Sequence, residues 1–593
     1  MTRTTPQIHE LQALLEQHHL DYYLVPGTDP HQTEYIAPNW QRRAFISGFT
    51  GSNGDVMIGR NKSYLWTDGR YSLQAKLELD PALFQVFEYQ QGQASTISRF
   101  FREQIKNQRV GVDPMTLSIG QAENLRAILA ENRSELIFTP ENLVDSVWPN
   151  RPACRHMPAL VYPLNFAGLD TGSKLAQLRA FMLEEELDFL ALNELTGIAW
   201  LFNIRGHDLE MTPVLFCYAL ISHDDATLYL DPASITPELQ AYLYTLHIKL
   251  LPYTEFYADL ATINARKVGV DQYANAMMYE ALKHNKRKLV NSPITLAKAC
   301  KNNIELEGMI KAHEEDAKAL CRFFSWLERN WQQQTEVSIA KQLLEFRRQS
   351  PLFFSPSFET IAGFKDHGAI IHYHAHPETA YTLDDKALLL IDSGGQYLGG
   401  TTDVTRTIHL GTPTAFEREC YTLVLKGHLT LGHTFFPAGT RGEQLDALAR
   451  QYLWQKGCNY AHGTGHGVGA FLNVHEGPHR IATGTTTVPL LPNMITSNEP
   501  GVYLEGQFGI RIENLCYVAE ANINSRTNTQ FYTLADLTLV PYCRKLIDVK
   551  LLSTEEIAWI NAYHQEIFMR LKDHLDAETK AWLEAATAPL PAA

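Results

Sequence analysis

Residues 387–410 read ALLLIDSGGQYLGGTTDVTRTIHL, and this stretch decides the fold of the second half of the chain. Two arms rich in Leu, Ile, Val and Thr flank a centre holding Gly394, Gly395, Gly399 and Gly400, the pattern of a β-hairpin. Folding the arms about the midpoint between Tyr397 and Leu398 sets Asp392 opposite Asp403. Cross-strand neighbours have Cβ atoms about 4.5–5.5 Å apart, and like charges there destabilise a sheet. Such a pair needs a cation between the carboxylates or a proton on one of them. Taken alone, two aspartates beside a turn account for it equally well.

The geometry then repeats. In SNEPGVYLEGQFGIRIENL, residues 497–515, Glu499 and Glu513 lie symmetrically about Gly506. Strand alternation puts Arg511 on the face of Glu513. Two hairpins with facing acids are hard to explain as surface decoration. Their four carboxylates would be neutralised by two divalent cations. Between the hairpins lies HGTGHGVGAFLNVHEGPH, with His462, His466, His475 and His479 set among glycines. Glycines admit a close backbone approach, and imidazoles offer neutral nitrogen ligands. The stretch does not fit G-x-G-x-x-G or the P-loop, and no lysine follows it. His475 to His479 satisfies the letters of H-E-x-x-H, but Gly477 and Pro478 would spoil the helix that this zinc motif needs. An oxygen-rich set with a histidine suits Mn²⁺, Co²⁺ or Zn²⁺. Two such ions about 3.5–4 Å apart activate a water and polarise a carbonyl, which is hydrolytic machinery. No G-x-S-x-G elbow is present, against a serine hydrolase.

Around this core, Leu306, Met309, Ile310, Ala317, Leu320, Phe324 and Leu327 recur at helical spacing and predict a long amphipathic helix. Helices are expected near 415–430 and 442–456, with Gly457 as a stop, and again over 551–590 as a surface cover. The segments KALLLID, TRTIHL, MITSNEP, FGIRIENL and LTLVP read as strands of an antiparallel sheet.

The first half contains a repeat. Leu20-Asp21-Tyr22-Tyr23-Leu24-Val25 returns as Leu187-Asp188-Phe189-Leu190-Ala191-Leu192, YLWTD ending at Asp68 parallels TLYLD ending at Asp231, and Val110-Gly111-Val112-Asp113 recurs as Val268-Gly269-Val270-Asp271. The offsets, from Leu20 to Leu187, Asp68 to Asp231 and Val110 to Val268, are 167, 163 and 158 residues. Three matches in register imply two tandem α/β domains, 1–155 and 156–300, joined through the proline-rich PNRPACRHMP. The third domain is 301–593.

Composition sets the remaining bounds. With 593 residues, 45% of them hydrophobic and 20% charged, the chain belongs with multidomain globular proteins. A net charge of -15 argues against nucleic acid or anionic membrane as the main partner. No run of about 18 apolar residues predicts a membrane span. The N-terminus, MTRTTPQIHELQALLEQHHLDYYLVP, reads as a helix entering a strand and not as a secretory signal. Eight scattered cysteines without a C-x-x-C pair fit reduced thiols and a cytoplasmic location.

Asp392, Asp403, His466, Glu499 and Glu513, in this order, resemble the metal ligands of the pita-bread metallopeptidases (peptidase family M24). That superfamily includes methionine aminopeptidase, prolidase, creatinase and aminopeptidase P. The contexts IDSGGQY, GTTDVTRT, HGTGHGVGAFLNVHEGP, NEPG and GIRIEN look like the cytosolic three-domain form of aminopeptidase P. The resemblance spans the chain. It implies two creatinase-type N-terminal α/β domains, then a pita-bread catalytic domain with a C-terminal helical extension. It implies cleavage of the bond between an N-terminal residue and a penultimate proline, through a hydroxide bridging two metal ions, with Mn²⁺ first in line. Among the ligands, Asp392 and Glu513 look able to bridge both ions, with Asp403 on one and His466 and Glu499 on the other. His372, in GAIIHYH, matches the substrate-contacting histidine, and His475 the one near the scissile carbonyl. His462 lines the same pocket, and Arg70, in WTDGRY, matches a position linked to substrate binding, against the plain reading of a surface arginine. Homodimerisation is implied by dimeric relatives.

There are two departures. Asn498 stands where relatives often carry Asp, and HYHAH adds His374 and His376 to the single family histidine. On a strand the three histidines of HYHAH would share a face, either as an extra metal site or, the reading preferred here, as a polar rim. The competing readings are a prolidase restricted to dipeptides, which the doubled N-terminal region argues against, and a non-catalytic binding protein, which the complete ligand set argues against.

Overall fold

The letters of the repeat have a packing reason. The computed structural model describes residues 5–89, 96–523 and 526–591. It divides into two compact units, Met1–Thr295 and Leu296–Ala593. In the first, Gly111 and Gly269 occupy equivalent strands. A Cβ on Gly111 would lie 2.5 Å from Leu20 Cδ1, and one on Gly269 would lie 2.6 Å from Leu187 Cδ1. The repeated glycine thus makes room for the repeated leucine. The aspartate that follows also has one task in both copies. Asp113 Oδ1 accepts from Met115 N, and Asp271 Oδ1 accepts from Tyr273 N, each at 2.9 Å, in an Asx turn.

Each copy builds a six-stranded sheet of one topology. In the first, the strands lie side by side as Phe84–Tyr89, Ser63–Asp68, Asp55–Gly59, Tyr22–Val25, Arg109–Val112 and Glu135–Phe138. In the second, the order is Ile248–Pro252, Ala226–Leu230, Cys217–Ser222, Phe189–Leu192, Lys267–Asp271 and Lys286–Val290. Residues 151–159 run without regular structure, in keeping with their prolines.

The second unit opens with the helix Asn303–Asn330, started by a capping box between Asn302 and Glu305. Met309, Ala317, Leu320, Phe324 and Leu327 on its apolar stripe are buried. The helices Ala415–Gly432 and Asp446–Trp454 follow, the second shorter than its sequence pattern because Gly442–Gln444 forms a separate 3₁₀ turn. Gly457 adopts φ +71°, the left-handed conformation that stops a helix.

Three strands, Ile361–Phe364, Leu388–Ser393 and Val404–His409, form an antiparallel sheet. A six-stranded sheet holds Phe436–Pro437, Phe531–Asp536, Asn514–Glu520, Ile495–Asn498, Gly465–Gly467 and Glu476–Ile481. Glu476–Ile481 is a strand, so His475 and His479 share no helix and the apparent H-E-x-x-H is accidental.

Two expectations are corrected, and one condition is not met. The LTLVP segment, 537–541, is not a strand, because its carbonyls turn inward to a buried guanidinium. Arg406 donates to Val540 O (2.6 Å), Pro541 O (3.2 Å), Thr405 O (2.9 Å) and Glu513 O (2.6 Å), and also to Asn514 Oδ1 (2.7 Å) and Tyr563 Oη (3.1 Å). The C-terminal helices Thr554–Leu571 and Ala577–Ala586 are more than a cover. Ile560, Tyr563, Ile567 and Leu583 enter the main apolar core of the unit. The HYHAH segment is a turn and loop following the 3₁₀ helix Lys365–Ala369, so its three histidines share no strand face.

Arg406 ties the strand Val404–His409, the strand Asn514–Glu520, the 540–541 segment and the C-terminal helix Thr554–Leu571 together. Its replacement by Met removes all six of these hydrogen bonds. Val540 O keeps the Tyr563 hydroxyl and Thr405 O keeps Glu513 N, while Pro541 O and Glu513 O lose the guanidinium, each buried acceptor left unpaired costing about 1–3 kcal/mol. We expect Arg406→Met to destabilise this unit by at least about 3 kcal/mol. Thermal unfolding followed by circular dichroism would show it, and an unchanged melting temperature would contradict this role.

Candidate active site

The two hairpins meet as their symmetry requires, with one shift. Strand Gly501–Leu504 pairs with Phe508–Arg511 in the register Gly501↔Arg511, Val502↔Ile510, so Gly506 is the centre and Glu499 and Glu513 flank the far ends. In the first hairpin Asp392 pairs with Thr405, not Asp403. Gly394 interrupts the strand, and Tyr397↔Gly400 close the turn around Leu398-Gly399, moving the register by two residues. A shift of two keeps every side chain on its face. Asp403 therefore remains a same-face, diagonal neighbour of Asp392.

Ligand atoms of Asp392, Asp403 and Glu513 lie within 4.8 Å of one another. The same holds for His466, Glu499 and Glu513, and for Asp403, His466 and His475. Asp403, His466 and Glu513 each belong to two of these three groups, and Asp392, Glu499 and His475 to one. Arg511 Nη2 donates to Asp392 Oδ2 at 2.6 Å. Asp392 Oδ1 is buried and accepts no hydrogen bond among the described residues.

Burial, then the charges of Asp392 and Glu499, push the Asp403 carboxyl well above the usual range. Burial, then Asp403 and Asp392, do the same to Glu513. One guanidinium cannot offset four clustered carboxylates, so the set calls for further positive charge or for protons on some of them.

The histidines are oriented by their own backbone. His466 Nδ1 lies 2.9 Å from Gly467 O, which can only accept, so the proton is on Nδ1 and the Nε2 lone pair faces the acids. That Nε2 is 3.5 Å from Asp403 Oδ2 and 3.6 Å from Glu499 Oε1, the disposition of a metal-ligand nitrogen. His462 Nδ1 likewise donates to Gly463 O at 2.7 Å, so its Nε2 accepts from the Tyr503 hydroxyl at 2.8 Å. Tyr503 in turn accepts from Arg511 Nη1 at 2.7 Å. The His475 ring stands edge-on to His466, with centroids 4.4 Å apart.

These residues fit a two-metal centre: an orphaned carboxylate oxygen, two carboxyls whose ionised form the protein alone disfavours, and an imidazole lone pair aimed among acids. Tyr503 and Thr405 were not singled out in the sequence. Thr405 Oγ1 donates to Glu513 Oε2 at 2.7 Å and receives Arg511 Nε at 3.1 Å. Strand alternation from Glu499 through Gly501 to Tyr503 carries the signal for the tyrosine.

His372 sits half-buried in the loop after the 3₁₀ helix Lys365–Ala369, outside these ligand groups; the preceding carbonyl, Ile371 O, receives Arg511 Nη2 at 3.4 Å. His374 Nδ1 pairs with Glu359 at 3.2 Å, and His376 is exposed. In the first unit, Arg70 follows the strand Ser63–Asp68 and grips Asp68 through Nε (3.0 Å) and Nη2 (2.8 Å). Asn498 Nδ2 donates to His428 O at 2.9 Å, a contact that an aspartate could not make.

The comparisons with known proteins agree with this geometry. Residues 307–520 match the model of metallopeptidase family M24, and 530–590 match the C-terminal region of that peptidase. Residues 7–143 and 150–305 each match a creatinase/prolidase N-terminal domain. A probable Xaa-Pro aminopeptidase P of Botryotinia fuckeliana is 41% identical, covering 99% of this chain and 93% of that protein. Aminopeptidase P2 of Arabidopsis thaliana is 39% identical over 96% of this chain and 86% of its own. Among solved structures, the X-prolyl aminopeptidase of Caenorhabditis elegans, described as a cytosolic enzyme with a di-nuclear active site, superposes with a TM-score of 0.95 at 31% identity over the whole of both chains. The prolidase of Pyrococcus horikoshii shares the fold, with a TM-score of 0.50 at 24% identity over 62% of this chain and 99% of that one. With both halves matched and the donor cluster assembled, the chain belongs to metallopeptidase family M24, with two creatinase-type N-terminal domains ahead of a pita-bread catalytic domain.

Proposed function

We propose that this protein is a metal-dependent Xaa-Pro aminopeptidase, removing the N-terminal residue from peptides whose second residue is proline. The observation that carries this reading is the cluster of four carboxylates and His466, joined through Asp403 and Glu513, in a chain that matches Xaa-Pro aminopeptidases along its full length. Asp392, Asp403, His466, Glu499 and Glu513 would hold two divalent ions, with Mn²⁺ proposed and Co²⁺ or Zn²⁺ as substitutes. Bound there, such ions supply positive charge that polarises a carbonyl and lowers the pKa of water.

The chain's own groups do the rest. Glu499, beside His466, serves as the proton acceptor for the attacking water. His475 donates to the carbonyl oxygen of the scissile bond as charge develops. His462, ordered by Tyr503 and Arg511, lines the pocket, and His372 contacts substrate from the adjoining loop. Arg70 is proposed to bind the peptide. Proline's tertiary amide lacks an N–H, so recognition rests on the pyrrolidine ring. A cytoplasmic homodimer acting on peptides is part of this proposal. No described helix is long and apolar enough to cross a membrane.

Substrate length separates this reading from prolidase. The Mn²⁺-loaded enzyme should cleave Xaa-Pro-Xaa tripeptides with kcat/KM well above that for Xaa-Pro dipeptides. The reverse preference would make it a dipeptidase.

A further inference from the structure

Outside the donor cluster, one buried acid has more partners than its place on a helix requires. Glu336 opens the helix Glu336–Arg347 and is fully buried. Its carboxylate does not serve its own helix. It accepts from Phe364 N (2.7 Å), Tyr381 N (2.9 Å), the Tyr373 hydroxyl (2.9 Å) and His367 Nδ1 (3.0 Å). All four donors belong to the segment 364–381, the loop that carries His372. The His367 ring stacks between Tyr381, with centroids 3.9 Å apart, and Tyr373, at 4.4 Å. One carboxylate thus gathers the start, middle and end of a loop that has little regular structure of its own.

The far side of this loop is pinned to the acid cluster. Arg511 Nη2, the same nitrogen that holds Asp392, reaches Ile371 O. Gly368 packs directly on the Arg511 strand: a Cβ on Gly509 would overlap the Gly368 carbonyl oxygen, so glycine is required at that crossing. His372 is therefore flanked by two fixed points, the Ile371 carbonyl on Arg511 and the Tyr373 hydroxyl on Glu336. Charge-assisted hydrogen bonds to a carboxylate are about twice as strong as neutral ones, and here a single group makes all of them. Without the carboxylate, four donors that it gathers lose their shared acceptor, and the loop loses its closure.

We propose that Glu336 is a positioning residue for His372, closing the 364–381 loop so that the histidine is presented to substrate beside Arg511. The proposal rests on the functional reading above, in which His372 contacts the peptide. Misplacing such a group by about 1 Å can cost about 10²-fold in rate.

The test is a double-mutant cycle on the full-length, Mn²⁺-loaded protein with an Xaa-Pro-Xaa tripeptide. Glu336→Gln should lower kcat by about 10–100-fold while bound metal is unchanged. In a His372→Ala background the same substitution should cost almost nothing more, because its effect runs through that histidine. Tyr373→Phe removes one hydroxyl and keeps the ring stack, so it serves if Glu336→Gln folds poorly; it should lower kcat severalfold, again only when His372 is present. Equal losses in both backgrounds, loss of bound metal, or unchanged kcat would each overturn the proposal. A wild-type protein that cleaves no Xaa-Pro peptide would overturn the functional reading, and the proposal with it.

Discussion

Glu513→Gln should reduce turnover by about 10³-fold or more, with the fold intact. Glu513 belongs to two of the three ligand-distance groups, and its Oε2 accepts from Thr405 Oγ1. An amide oxygen carries no net charge and its nitrogen cannot ligate, so the variant loses the group best placed to hold two cations together. The positive charge so lost supplies several kcal/mol of transition-state stabilisation, and each 1.36 kcal/mol is a factor of ten. The substitution also removes one of the mutually repelling acids, so the metal-free variant should be no less stable than the parent. Elemental analysis, steady-state kinetics and thermal unfolding on one sample check all three statements. Near-normal turnover would mean that another carboxylate is the shared ligand.

His475→Ala should lower kcat by about 10²–10³-fold, the cost of one lost oxyanion donor in other hydrolases. The loss should appear in kcat more than in KM, since the donor acts mainly in the transition state. The geometry sharpens the test, because His475 shares a ligand-distance group with Asp403 and His466. Two roles follow from that position, and metal content separates them. Retention of both ions with little activity supports the donor role. Loss of one ion would make His475 a ligand, and unchanged kcat would remove it from the reaction.

The two hairpins show what patterning reveals and where it stops. The centre at Gly506 is read to the residue because one glycine, at φ +71°, makes the turn. Between Asp392 and Asp403 four glycines compete for the centre, and the register came out two residues away, around Leu398-Gly399. The side-chain period of two preserved the face, so the acid cluster was legible even though its pairing was not. The tandem repeat was legible for a related reason: each repeated letter has a local task, a glycine making room for a leucine or an aspartate closing a turn. Arg406 carries no such signal. Its partners Val540 and Pro541 lie 134 and 135 residues away, and no spacing rule connects a guanidinium to carbonyls that distant. The same holds for Glu336, which reads as the first turn of a helix and gives no sign of the loop it gathers. For HYHAH the shared face depended on a strand, and the backbone instead turns after the 3₁₀ helix at 365–369.

The central claim is that this cluster is a two-metal hydrolytic centre. Its most direct test is metal content against activity on the same protein: chelate, confirm by elemental analysis that the sample is metal-free, and titrate Mn²⁺ back while following cleavage of an Xaa-Pro-Xaa tripeptide. The account predicts no turnover without metal and full recovery at two ions per chain. Full turnover by protein shown to be free of metal would contradict it.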